Sequence, residues 1–362
     1  EITSSDWREA PIGTDYLLEP VNLSGVFHPK INLFASEQSV FYSVSSANLT
    51  LAEYCQAAQI GYADGFQKSW ITDDDRDVGE AYWLARDIRD FYTELADHET
   101  RITGEDATTY ISETATTLEW LDDVAAEVSS TEEERTTQFV SNLSRPIVSQ
   151  VLDMVGEVES ATLYAPYYGT PNVLQRIASK LDADHIDLVV EPESTALDIA
   201  GLGDALDGTD YAIRKMDPRH ATRWVHAKFL LVEGDWGTAC LYGSPNMTSS
   251  ALLDNAVSGN VEAALLTIVP PESAIDLEDA VFDSASFAFD IGDPVEDPST
   301  LNLRDASYEG WESLQHDSHE ERPGSPRAAR TRADRAALLG SLTPFARLRC
   351  LRARASSTGP RP

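Results

Sequence analysis

The sequence predicts an α/β sandwich built around a hairpin that occurs twice. Three observations predict it. The segment Phe27 to Thr50 recurs as Val225 to Thr248 with its polar residues at one spacing. Strands alternate with helices between about residues 137 and 268, the pattern of an α/β domain. An acidic stretch with helical periodicity separates the two copies.

The first copy reads "FHPKINLFASEQSVFYSVSSANLT" and the second "VHAKFLLVEGDWGTACLYGSPNMT". "INLF" and "KFLLV" are apolar and strand-like. A polar turn leads each into a second strand, "SVFYSVSS" or "TACLYGS". Each second strand runs into Ser-x-Asn-x-Thr, residue types that favour a helix start because their side chains accept orphan backbone N–H groups.

Between the copies, "DVGEAYWLARDIRDFYTELADH" and "TYISETATTLEWLDDVAAEVSS" read as an inserted helical pair with acidic outer faces. The lead-in to the second copy is complete. "SRPIVSQVLDMVGEV" is a helix and "SATLYAPYY" a strand. "TPNVLQRIASKL" is a helix with Thr170 as N-cap and Pro171 at its first position. "IDLVVEP" and "YAIRKM" are strands, and "NVEAALLTIV" is another after the second motif. The first copy has no such lead-in; as a structural repeat it lacks roughly 60 residues at its front. Five segments follow. Residues 1–76 hold the C-terminal part of a first half, 77–132 a helical insertion, and 133–270 a second half. Residues 271–321 begin an accessory β-rich segment, and 322–362 form a basic tail.

Charge is divided just as unevenly. Residues 1–321 carry 17 basic and 60 acidic side chains, whereas the segment from Arg322 onward has ten arginines and one acid. The whole chain holds five lysines. A body dense in carboxylates and poor in Lys looks like a protein from a cell with molar internal salt, where a Debye length of about 3 Å mutes repulsion. The tail reads either as a disordered nucleic-acid-binding arm or as the frameshifted end of a gene. No apolar run approaches the roughly 18–20 residues of a spanning helix, and no signal-peptide pattern opens the chain. Cys55, Cys240 and Cys350 lack metal-ligand spacing and read as thiols of a reducing cytoplasm.

The repeat carries the chemistry. His28 and Lys30 answer to His226 and Lys228. From each His, a Ser follows 18 positions later (Ser46, Ser244), an Asn 20 later (Asn48, Asn246) and an acid 36 later (Asp64, Glu262). Residues i and i+2 of a strand share a face, so His-x-Lys presents an imidazole beside an ammonium. Two copies brought together across a pseudo-twofold axis give two His, two Lys and two Asn around one cavity. Such a cavity suits a tetrahedral phosphate. One His can attack phosphorus while the other protonates the leaving oxygen. No metal or other cofactor is needed.

These residues resemble the phospholipase D superfamily, marked by a duplicated His-x-Lys motif with a downstream Asn. The resemblance covers about residues 20–66 and 137–268, and the protein looks like a member from a halophilic archaeon. It implies a duplicated α/β/α sandwich with one site between the halves, working through a phosphohistidine. His28 and His226 become the nucleophile and acid pair, and Lys30, Lys228, Asn48 and Asn246 the phosphate binders. Glu262, with Asp64, orients a His, and Ser46 and Ser244 support. The usual Asp five positions after the Lys is replaced by Ala35 and Glu233. That loss resembles the tyrosyl-DNA phosphodiesterase branch and favours DNA chemistry. The Gly that often precedes the Ser is present as Gly243 and replaced by Ser45 in the first copy.

The leading expectation is therefore a phosphodiesterase acting on nucleic acid. The alternatives are a phospholipid phosphodiesterase at a membrane surface and an inactive binding subunit of a larger complex. Arg219 and His220 lie close enough in sequence to touch substrate, although a loop role is the plainer reading. Tyr164, Tyr167, Tyr168 and Trp224 either stack bases or pack the core or rim. His98, His185, His316 and His319 show no constellation.

Overall fold

The computed structural model describes residues 21–22, 25–48, 57–73, 76–97, 101–102, 116–128, 130–218, 224–271 and 289–304. Thr50, Cys55, His98, Arg219, His220, His316, His319, Cys350 and the basic segment 322–362 lie outside them. The fold is mixed α/β, with sheets predominant and few helices.

Strands β1 (Ile31–Ser36) and β2 (Ser39–Ser45) form the first hairpin, closed at Glu37–Gln38. Strand β3 (Gly61–Gln67) pairs antiparallel with β2. Alternation decides the faces. Ile31, Leu33 and Ala35 on β1 and Val40, Tyr42 and Val44 on β2 point into one core. Helix α1 (Gly79–Asp97) lays Ala81, Tyr82, Ala85 and Ile88 onto that core, three and four residues apart.

The second sheet has eight strands. They are β4 (Thr137–Ser141), β5 (Ser160–Tyr164), β6 (His185–Val190), β7 (Asp210–Pro218), β8 (Phe229–Gly234), β9 (Gly237–Gly243), β10 (Ala263–Val269) and β11 (Phe289–Pro294), ordered β11-β7-β6-β5-β8-β9-β10-β4. Strands β5, β6 and β7 run parallel, joined by crossovers; β8, β9 and β10 are antiparallel. Helices α2 (Ile147–Met154) and α3 (Pro171–Leu181) cover one face, with Val148, Val151, Leu174 and Ile177 over Leu163, Leu188, Leu230 and Leu241. Helix α3 starts at Pro171 with Thr170 at its N-cap, whose side chain makes no cap hydrogen bond. The other face turns Tyr164, Val189, Phe229, Cys240 and Tyr242 into the core shared with β2 and α1. Full burial of such side chains contributes about 1.5–3 kcal/mol each.

Two expectations change. Over 116–128 the second helix of the acidic pair is interrupted: Thr116 and Thr117 are helical, and after a turn at Leu118–Glu119 come one turn at Trp120–Asp123 and a 3₁₀ turn at Ala125–Glu127. Leu118, Trp120, Leu121 and Val124 bury into the core beside α1. The stretch after Pro271 contributes β11, which pairs antiparallel with the edge of β7. The helix expected after the second Ser-x-Asn-x-Thr is only a wide turn, Ser249–Leu253. No helix among the described residues is long and apolar enough to cross a membrane.

Candidate active site

Both hairpin units place their polar residues at corresponding strand ends. His28 and His226 each stand three residues before a first strand, β1 or β8. Ser46 and Ser244 directly follow the second strands, β2 and β9. Each Ser closes the same ring with its third strand. The Ser46 N–H donates to Ile60 O at 2.8 Å and Ser46 Oγ accepts the Ile60 N–H at 3.0 Å. The Ser244 N–H donates to Ala263 O at 3.0 Å and Ser244 Oγ accepts the Ala263 N–H at 3.0 Å. The residues just before these partners, Gln59 and Glu262, are therefore equivalent.

Each of the two reaches across to the other unit's histidine. Glu262 Oε2 lies 2.8 Å from His28 Nδ1, and Gln59 lies 3.4 Å from His226 Nδ1. Backbone pairing explains the crossing. Phe27 bridges to Val261, and Trp224–Val225 pairs in parallel with Ala57–Ala58. The residue before each His thus pairs with the residue before the opposite Glu or Gln.

Asp64, expected beside a histidine, is elsewhere. It sits inside β3 opposite Tyr42, accepting from Tyr62 Oη at 2.9 Å and the Gly65 N–H at 2.8 Å. The span from Ser to the orienting residue is 13 in the first unit and 18 in the second, so counting 36 from His28 overshoots. Gln59 is the residue the sequence reading missed.

The missing first-unit glycine has a structural answer. A Cβ on Gly243 would lie 3.0 Å from the Ala264 Cβ, and one on Gly61 would lie 2.5 Å from the Ser45 Cβ. Each unit keeps one glycine at this close crossing, on opposite strands of the pair.

The lysines repeat too. Lys30 Nζ donates to His28 O at 3.3 Å, and Lys228 Nζ to His226 O at 3.2 Å. Lys228 Nζ also lies 3.1 Å from His226 Nε2. Both histidines, both lysines, both serines and Asn246 are buried, and Asn48 is half-buried. Among the described residues Asn246 Oδ1 is a buried acceptor without a partner.

Protonation follows from the network. His28 Nδ1–H donates to Glu262, which leaves Nε2 as the reactive nitrogen. Gln59 Nε2 faces His226 Nδ1, and Gln59 Oε1 accepts the Ser46 Oγ–H at 2.6 Å. Lys228 Nζ, a donor only, faces His226 Nε2. Glu262 is fully buried. Burial pushes its carboxyl up, but the His28 charge beside it, hydrogen bonds from His28 and Ser244 and the Lys30 charge outweigh that. They hold it below the ordinary carboxylate value.

Other residues play structural parts. Tyr164 Oη donates to Val225 O at 2.9 Å, and Tyr168 Oη contacts Leu163 O and Val189 O at 2.7 Å; both rings are buried. His185 is held between Asp210 at 2.8 Å and Asp187 at 3.2 Å, away from this site.

No protein-family profile matches the chain, and no curated protein matches it. Its shape is similar to the crystal structure of yeast tyrosyl-DNA phosphodiesterase, with TM-score 0.42 and 13% identity over 68% of this chain and 68% of that one. A mutant of that enzyme scores 0.40 at 13% identity, covering 66% of each chain. Polyphosphate kinase from Porphyromonas gingivalis scores 0.32 at 11% identity, with 81% of this chain covering 40% of the kinase. Scores this low decide nothing about activity, so the chemistry rests on this chain's own side chains.

Proposed function

We propose that the chain is a phosphodiesterase of the phospholipase D type, a duplicated sandwich cleaving phosphodiester bonds in nucleic acid through a phosphohistidine. The carrying observation is the unequal pairing of the histidines: His28 with the carboxylate Glu262, His226 with the neutral amide Gln59. A carboxylate stabilises the positive charge that His28 acquires when Nε2 bonds to phosphorus. A neutral partner lets His226 give its proton away, which suits a general acid.

The steps balance. Lys30, Lys228, Asn48 and Asn246 bind the phosphate oxygens. A phosphate oxygen between them draws Lys228 off His226, whose Nε2 takes up a proton from solvent. His28 Nε2 attacks phosphorus, the bond to the leaving oxygen breaks, and that oxygen takes the proton from His226. His226 then removes a proton from water. The hydroxyl oxygen bonds to phosphorus, the P–N bond breaks with its electrons returning to His28, and His226 holds the proton again. His28 and Glu262 restore their hydrogen bond, and the phosphorylated product departs.

Nucleic acid is favoured over lipid by the surface. Among the described residues the exposed large hydrophobics are Phe34 and Phe41, paired on the first hairpin with rings 6.0 Å apart, and the dispersed Met154 and Val257. A lipid-surface enzyme needs a contiguous apolar rim. Ala35, turned into the core, and Glu233, bonded to Ser160 at 2.8 Å, replace the motif acids and leave the site to two His, two Lys and two Asn.

Turnover should be measured in about 2–3 M KCl, where screening is nearly complete. Substrates are single-stranded DNA, duplex DNA, a tyrosyl-oligonucleotide and a phospholipid, with wild type, His28→Ala and His226→Ala. Cleavage of a DNA substrate that both variants lose supports the reading. Turnover on phospholipid alone overturns the substrate, and no turnover on any overturns the enzyme in favour of a binding subunit.

A further inference from the structure

Glu262 has a second oxygen, and a residue outside the motifs holds it. Asn260 Nδ2 donates to Glu262 Oε1 at 3.0 Å. The same amide accepts the backbone N–H of Val26 on Oδ1 at 3.1 Å. Val26 lies two residues before His28 on the same strand entry. One side chain therefore ties the Glu262 carboxylate to the backbone two residues before His28. Its orientation is not arbitrary. The Val26 N–H can only donate, so Oδ1 must face it and Nδ2 must face the carboxylate.

Asn260 is itself held. Asn142, at the end of β4 and fully buried, donates from Nδ2 to Asn260 O at 2.8 Å and accepts the Glu262 N–H on Oδ1 at 2.7 Å. The remaining groups facing Glu262 are His28 and Ser244 on Oε2, with the Lys30 charge nearby. The first unit has no equivalent. Ala57, two residues before Gln59, stands where Asn260 stands relative to Glu262, and it offers no side-chain donor.

We propose that Asn260 is a positioning residue that keeps Glu262 ionised and aimed at His28 Nδ1, making the first histidine the nucleophile. The proposal rests on the phosphodiesterase reading for its catalytic meaning, but its geometry can be tested without turnover.

Three variants of the full chain test it: Asn260→Asp, Glu262→Gln and the double exchange. In Asn260→Asp the new side chain still accepts from Val26 but sets a second carboxylate against Glu262. The pair then retains a proton to higher pH. A carbon-13 titration of the carboxyl groups should move up by about one unit or more, whether or not the protein turns over. In Glu262→Gln an N–H group meets Asn260 Nδ2, donor against donor. The double exchange repairs this, because the carboxylate introduced at position 260 accepts both from the amide introduced at position 262 and from the Val26 N–H. It should recover most of the melting temperature lost by Glu262→Gln while turnover stays low.

Where turnover exists, the acid limb of kcat/KM in Asn260→Asp should rise by the same amount, a tenfold loss per unit below it, with the plateau changed only a few-fold. An unmoved carboxyl titration with additive losses of stability in the double exchange overturns the proposal, leaving Asn260 as packing. Absence of turnover in wild type overturns the function and leaves the titration to judge Asn260.

Discussion

Replacing Glu262 by Gln removes one charge and almost no volume. The carboxylate is 0% exposed and 2.8 Å from His28 Nδ1. A unit charge pair about 4 Å apart at an effective dielectric near 20 is worth about 4 kcal/mol, which corresponds to about 10³ in rate. The neutral imidazole is the form that attacks, and its charge builds again as Nε2 bonds to phosphorus, so the loss belongs in kcat while KM moves a few-fold at most. Stopped-flow and steady-state assays on the best nucleic-acid substrate separate the two. Acid behaviour provides an internal control. Because Glu262 sits below its ordinary value in the fold, its pairing stabilises above the ordinary carboxylate range and is lost as pH falls through the folded value. Wild type should lose activity and stability on that descent, and Glu262→Gln should show a flatter acid limb. A kcat loss under about tenfold, or a loss confined to KM, refutes the assignment of the carboxylate to His28 charge.

Gln59→Ala should cost less than Glu262→Gln, about fivefold in kcat, since only a neutral hydrogen bond of about 1 kcal/mol is lost; steady-state kinetics compare them directly. Gly61→Ala should destabilise by about 1–3 kcal/mol through overpacking against Ser45. Adding Ser45→Gly should recover most of that loss in a urea titration, because it transposes the Gly243–Ala264 arrangement into the first unit. Tyr164→Phe should cost about 1 kcal/mol of stability by removing the bond to Val225 O, measured by thermal melting.

The His-x-Lys and Ser-x-Asn pairs were readable because both recur at one spacing in two copies of a hairpin. The hairpins, α2, α3 and the parallel strands β5, β6 and β7 were readable for similar reasons: apolar periodicity, Pro171 at a helix start, short polar turns. Strand β3 was not. "GYADGFQ" has two glycines and no β-branched residue, and only its pairing with β2 makes it a strand. The unseen strand displaced the whole comparison, because the return from Ser46 is five residues shorter than that from Ser244. Linear spacing then pointed at Asp64, whereas register points at Gln59. Asn260 and Asn142 carry no motif; their roles come from which backbone groups they meet. In the acidic insertion the described residues 116–128 are short helical turns, with Leu118, Trp120 and Leu121 buried beside α1.

The central claim is that His28 takes the phosphoryl group and His226 delivers the proton. It is tested most directly by quenching the reaction of wild type and His226→Ala with alkali and locating the adduct by peptide mass spectrometry. A phosphoramidate survives base and breaks in acid. The adduct should sit on His28, accumulate in His226→Ala when the leaving group is a good one, and be absent from His28→Ala. An adduct on His226, or sustained turnover in His28→Ala, contradicts the account.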